Sequence, residues 1–166
     1  MQIKSDLSLL ECLYNASDLF IIYSMTKNNS YKLTVCPMTY VLEVLGDKWT
    51  FLIIRDMIFK GCCQYKQFVD SDEGVATNIL ADRLKKLVKH EIITQCKDPQ
   101  NGRQKLYHLT EKGLDLIPSI LQLIKWTGHH DDNTLLSDQI MHYLDHRFDE
   151  AVEIVRSEYL NNCHVG

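Results

Sequence analysis

Residues Gly74 to Leu84 read GVATNILADRL, and this stretch decides the fold. On a 3.6-residue period Leu80, Leu84 and Leu87 form one stripe, with Ile79 and Val88 at its edges. Asn78, Asp82, Lys85 and Lys89 fall on the opposite face. Such a helix buries leucines behind and presents amide and ammonium groups in front, which is the build of a DNA recognition helix. Downstream, Ile92 to Gln95 and Leu106 to Leu109 read as two short strands. The connection Lys97 to Arg103 contains Asn101-Gly102, whose residue types tolerate positive φ and favour a tight turn. Upstream, Lys48 to Phe59 predicts an amphipathic helix carrying Trp49, Leu52, Ile53 and Met57, and Gln64 to Val69 a shorter one after Gly61. Helix, short helix, presenting helix and basic hairpin predict a mainly α winged helix-turn-helix with a small β-hairpin wing and extra helices at both termini.

Four motifs in register then carry a resemblance. They are Cys36-Pro37, Leu45-Gly46-Asp47-Lys48-Trp49-Thr50, the presenting segment above, and Leu109-Thr110-Glu111-Lys112-Gly113. In order and spacing they resemble the HxlR-type winged helix regulators of bacteria over about Cys36 to Trp126. The resemblance implies a dimeric transcription factor that binds an operator near its target gene. It also implies a dimer built from helices flanking the core, here Met38 to Val44 and residues 112–126. The chain departs from the family in three places. Cys62-Cys63-Gln64-Tyr65 stands where relatives usually carry an arginine beside a phenylalanine, and His90-Glu91 where a glycine commonly ends the recognition helix. Residues before Cys36 and after Gly128 lie outside the shared domain.

The net charge of -4 is unusual for a DNA-binding chain, but its distribution is uneven. Residues 1–35 are neutral, residues 36–112 carry +2, and residues 113–166 carry -6, with three basic against nine acidic side chains. Within 76–112 eight basic residues face four acidic ones, a net +4 placed on the presenting helix and wing. Phosphate contact needs positive charge there, and an acidic tail keeps the rest of the chain off DNA. At 166 residues and 45% apolar content a real core is expected. No apolar run approaches the roughly 20 residues needed to span a bilayer, and Phe20 to Tyr23 is too short for a signal-peptide core. The chain is therefore read as cytoplasmic, with no membrane partner.

The expected organisation is an N-terminal helical extension over 1–35, a winged helix-turn-helix DNA-binding domain over 36–126, and a linker with a C-terminal helix over 127–166. Residues 5–25 read as an amphipathic helix, with Ser8 to Glu11 resembling a capping box. Thr110 is placed to cap a helix running through Trp126, with Pro118 awkward inside it. Thr127 to Asn133 reads as a linker. One helix from about Ser137 to Leu160 would carry Ile140, Leu144, Phe148, Ala151, Val155 and Tyr159 on a stripe. The two terminal helices either extend the dimer interface or pack on their own protomer.

The partners expected are double-stranded DNA and a second copy of the chain, on a pseudo-palindromic operator. The N-terminal end of a recognition helix enters the major groove deepest. Thr77 and Asn78 are therefore the candidates for reading base edges, and an Asn amide pairs bidentately with adenine. Lys85 and Lys86 are candidates for phosphates, Arg103 and Lys105 for the minor groove or backbone, and Lys66 sits where the preceding helix meets the strand. Arg83, nearer the buried edge, reads as partly structural. Each of these is alternatively a solvated surface charge, and a winged helix serving only protein interaction is the competing class.

Pro37 suits the first turn of a helix, which puts Cys36 at its N-cap, where amides and the helix dipole stabilise a thiolate. The resemblance adds that the equivalent cysteine senses electrophiles or oxidants in several relatives. The alternative is a half-buried, unreactive thiol near the dimer seam. Cys62 and Cys63 are possible resolving partners. Six cysteines in a chain read as cytosolic do not suggest a disulfide framework, and their spacing offers no CxxC pair, so no structural zinc is expected. His142 and His146, with Asp145 and Asp149 nearby, have workable spacing for a metal but equally suit an exposed polar face, and no metal is assigned. No phosphate loop, nucleophile elbow or paired-acid motif appears. The chain is read as no enzyme, with no cofactor, and nothing in it names a small-molecule effector.

Overall fold

The computed structural model describes residues 36–134 and 136–163. The amphipathic segment 5–25 lies outside them. The chain divides between Gly46 and Asp47 into two compact units.

In the first unit the described element is α1 (Pro37–Leu45). Cys36 is its N-cap in an extended conformation, and Pro37 occupies the first turn, where its missing N–H costs nothing. The N–H of Gly46 donates to the carbonyl of Leu42 at 2.9 Å and closes the helix. A Cβ on Gly46 would lie 2.1 Å from that carbonyl oxygen, so only glycine fits the end of α1. Met38, Tyr40, Val41 and Leu42 are exposed on this helix.

The second unit is mainly helical. Its elements are α2 (Lys48–Lys60), α3 (Tyr65–Val69), α4 (Thr77–Lys89), β1 (Ile93–Lys97), β2 (Lys105–Leu109), α5 (Glu111–Leu114), α6 (Ile117–His130), α7 (Asp138–His146) and α8 (Phe148–Cys163). The two strands pair antiparallel, from Ile93 opposite Leu109 to Lys97 opposite Lys105. Gln64 adds an isolated antiparallel bridge to Leu106, so the segment before α3 lies along the outer edge of β2. Ile53, Ile54 and Met57 of α2, Phe68 of α3, the three leucines of α4, and Ile93, Tyr107 and Leu109 of the hairpin form the core. This is the winged helix-turn-helix arrangement that the periodicity predicts. The buried face of α2 is rotated from expectation: Ile54 and Asp56 are buried while Trp49 and Leu52 are half-exposed.

The Leu-Thr-Glu-Lys-Gly motif has a local explanation. Thr110 caps α5 by accepting from the Gly113 N–H at 3.1 Å, while its hydroxyl faces the carbonyls of Glu91 and Ile92 at 2.6 and 3.1 Å. A Cβ at Gly113 would stand 2.2 Å from the Ile92 carbonyl oxygen, so the close approach demands glycine. Lys112 donates to the His90 carbonyl at 2.9 Å, on the last turn of α4.

Three boundaries differ from the sequence-based expectation. The helix expected from Thr110 through Trp126 is two helices. Proline lacks the N–H and crowds the preceding turn, so the chain bends at Asp115-Leu116 and Pro118 falls in the first turn of α6. The expected linker at 127–133 is helical as far as His130, because α7 packs over Gly128, where a Cβ would meet Met141 Sδ at 2.2 Å. Finally, the helix expected over 137–160 is broken at Arg147 (φ -137°, ψ 43°), the C-cap of α7. The break lets Leu144 on one side and Ala151 and Tyr159 on the other all reach the interior.

Both C-terminal helices pack on the winged core of their own chain. The Leu109 N–H donates to the buried Tyr159 hydroxyl at 2.7 Å, which ties α8 to β2. Lys125 of α6 meets Asp145 at 3.0 Å, and Arg156 of α8 pairs with Glu111 and Asp115. Among the described residues no helix is long and apolar enough to cross a membrane.

Candidate nucleic-acid interface

α2 is the fixed support of the site. Asp47 caps it, accepting from the N–H groups of Trp49 and Thr50, each at 3.1 Å, and from the Thr50 hydroxyl at 2.6 Å. Burial would raise the Asp47 carboxyl. The Thr50 hydrogen bonds and the Arg83 guanidinium outweigh it and hold the group below the ordinary carboxylate range. Arg83 Nε lies 2.9 Å from Asp47 Oδ1, an ion pair whose N–H does not point along a hydrogen bond, and Arg83 Nη1 lies 2.5 Å from Asp82. Arg83 therefore clamps α4 to the start of α2, and its structural assignment stands.

The turn before α4 is held from the same side. Arg55 of α2 donates to Glu73 at 2.5 Å and to Asp56 at 2.6 and 2.9 Å. The Arg55 hydrogen bond holds the Glu73 carboxyl at about 2, and the same contacts push Arg55 up. Gly74 at φ +63° takes the left-handed conformation that lets the chain re-enter the helix, and Tyr65 of α3 donates to the Thr77 carbonyl at 2.8 Å. The position of α4 is thus set at both ends by neighbours rather than by its own caps.

α4 itself buries Leu80, Leu84 and Leu87 and exposes Thr77, Asn78, Asp82, Lys85 and Lys89. Its N-cap is Ala76, which offers no side-chain acceptor. The first-turn N–H groups consequently face outward without a side-chain cap, beside Thr77 and Asn78. Lys86 is half-buried at the edge of the presenting face rather than in its centre. The helix ends at His90, followed by Glu91 at φ +58°, the one non-glycine residue with positive φ among those described. Glu91 thus takes a left-handed backbone that a side chain resists.

The wing differs in detail from the expected tight turn. Gly102 is not left-handed, and the seven residues between the strands are shaped by side chains instead. Asp98 accepts from the N–H groups of Gln100 and Asn101 at 2.8 and 3.3 Å, and Asn101 from that of Arg103 at 3.3 Å. Arg103, Lys105 and Lys66 come together around one shallow depression of about 340 Å³, with Gln64, Tyr65 and Tyr107. The wing and α3 thus bring three of the sequence-derived basic residues to one surface. Sequence reasoning missed Lys97, which sits exposed directly opposite Lys105. Like charges paired across strands repel, so this pair marks a surface suited to an anion. Register counting from the core residues Ile93 and Leu109 would have found it.

Cys36 is exposed at the N-cap of α1, not half-buried. Cys62 and Cys63 are half-buried beside Cys96 and His108, and burial pushes the Cys62 thiol and the Tyr107 hydroxyl up and His108 down. His129 pairs with Asp145 at 2.9 Å while His142 and His146 stack on each other. Among the described residues no three such side chains converge as for a metal.

The sequence profile of the HxlR-like helix-turn-helix proteins matches residues 44–134. The chain belongs to this family. It is similar to the HTH-type transcriptional regulator YodB of Bacillus subtilis, 31% identical over 94 residues that span 56% of this chain and 83% of YodB. The reduced form of YodB superposes with a TM-score of 0.50 at 27% identity, over 61% of this chain and 99% of that one. The redox regulator HypR in its reduced form gives 0.52 at 26% identity, over 58% and 94%. PA1607 gives 0.57 at 35% identity, over 66% and 75%. The chain is a transcriptional regulator of the HxlR family, and the matched segment 44–134 runs from α2 through α6, with α4 and the wing inside it.

Proposed function

We propose that this regulator acts as a homodimer on a pseudo-palindromic operator, with one α4 in each of two major-groove half-sites. The exposed row of Asn78, Lys85 and Lys89 on α4, level with an uncapped helix start, carries the reading. Thr77 and Asn78 read base edges; the open N–H groups beside them favour a phosphate. Lys85, Lys86 and Lys66 meet the backbone, and Arg103, Lys105 and the newly found Lys97 bring the wing to the minor groove or adjacent phosphates. The exposed apolar side chains of α1 (Met38, Val41, Leu42) and of α6 (Leu123, Trp126) supply the surfaces for the second copy. Two facing lysines on the wing favour a polyanion such as DNA over the competing reading, a winged helix devoted to protein interaction.

A second reading concerns Cys36. Its exposure at a helix N-terminus suits a thiol that responds to oxidants, and HypR, a similar protein, is a redox regulator. One titration tests both readings: fluorescence anisotropy on DNA from upstream of the chain's own gene, across salt, with and without diamide. The expected result is salt-sensitive binding tighter than to random DNA, abolished by diamide in the native chain and retained in Cys36→Ser. Equal affinity for random DNA removes sequence reading at that site; diamide sensitivity unchanged in Cys36→Ser removes Cys36 as the sensor.

A further inference from the structure

Helices α6, α7 and α8, with Phe59 near the end of α2, enclose an open groove of about 520 Å³. Leu121, Leu144 and Ala151 are buried at its floor, and Phe59, Ile140 and Ile154 are exposed along it. Among the described residues its polar groups are the Gln139 amide and the Tyr143 hydroxyl and no charged side chain lines it, although α7 and α8 together carry six carboxylates. The groove belongs in part to residues outside the shared family region, since its wall from Leu136 to Val155 follows the matched segment 44–134.

We propose that this groove is a binding site for an uncharged, largely apolar small molecule of roughly 15–25 non-hydrogen atoms, the size that cavities of this volume accept. An apolar floor gains free energy by removing such a surface from water, and a lining without charge gives a charged ligand no counter-ion. The Gln139 amide orients the ligand through one or two hydrogen bonds, and the Tyr143 hydroxyl, already bonded to Glu150, is left to accept one. A second copy of the chain is the less fitting occupant. α6 already offers a second copy another apolar stripe, Leu123 and Trp126, on the face turned away from Leu121, and that stripe is exposed without the groove being used. Through Phe59 the ligand would touch α2, which packs along α4, so the site is mechanically connected to the presenting helix.

The test is direct binding of the neutral probe N-phenyl-1-naphthylamine to the full chain, followed by its fluorescence. Saturable enhancement with one site per chain is expected. Ile154→Glu and Ile140→Glu, both at exposed positions that leave the core intact, should each raise the dissociation constant at least tenfold, and Gln139→Ala should raise it less. Gln122→Glu, at an exposed α6 position outside the groove lining, should leave it unchanged. Non-saturable enhancement, or equal loss in Gln122→Glu, overturns the site. So does an Ile154→Glu chain that turns from dimer to monomer in light scattering, because the groove is then an interface between copies. None of these readouts involves DNA, so the proposal stands or falls apart from operator binding.

Discussion

α2 and α4 are both 13 residues long and cross within one core, yet they are finished in opposite ways. α2 starts on an aspartate that accepts two backbone N–H groups and ends on Gly61 in the left-handed conformation, so both termini are satisfied locally. α4 starts on Ala76 without a side-chain cap and ends before a strained Glu91. Its placement is borrowed from Asp47 through Arg83, from Tyr65, and from Lys112 on the last turn. A support helix is completed by its own sequence, whereas a presenting helix keeps its leading amides open and is held by others.

The largest test of that contrast is Leu84→Ala. Leu84 is 2% exposed, and truncating it should lower stability by about 2–5 kcal/mol in urea unfolding. Lys85→Ala beside it should move stability by less than about 0.5 kcal/mol. Similar effects at both positions would mean that α4 has no free face. Asn78→Ala should leave the melting temperature in place and cost about 1–3 kcal/mol on the cognate operator. A matching loss on random DNA would reduce Asn78 to a backbone contact. Asp47→Ala removes the cap of α2 and the partner of Arg83 together, and should cost about 1–2 kcal/mol of stability. Asp47→Asn should recover the cap but not the charge, so the difference between the two variants measures how firmly α2 holds α4. A gain rather than a loss is expected at Glu91→Gly, which relieves the left-handed backbone and should stabilise by up to about 1 kcal/mol in thermal melts. No gain there would show that the end of α4 is as relaxed as that of α2.

Much of this was readable from the chain alone. The leucine stripe of α4 and its polar front depend only on a 3.6-residue period, and the structure buries the leucines and exposes Asn78 and Lys85 as that period requires. Arg83 was separable from the other cations because it sits about 60° from the leucine stripe. The wing was readable as a hairpin, but its turn was not. Asn101-Gly102 has the composition of a two-residue turn, whereas the side chains of Asp98 and Asn101 close a seven-residue one. The break at Arg147 left no sign in the sequence, since Arg is a good helix former and the apolar stripe continues across it.

The sequence by itself determined which face of α4 is buried, where the strands lie and where charge concentrates, because periodicity and charge are properties of neighbouring residues. Tertiary structure alone decided that Lys97 faces Lys105, that Lys66 joins Arg103, that α8 docks on β2 through Tyr159, and that α6, α7 and α8 leave a groove between them. These pairings join residues far apart in the chain, and they follow from how helices and strands share one interior, which no local pattern encodes.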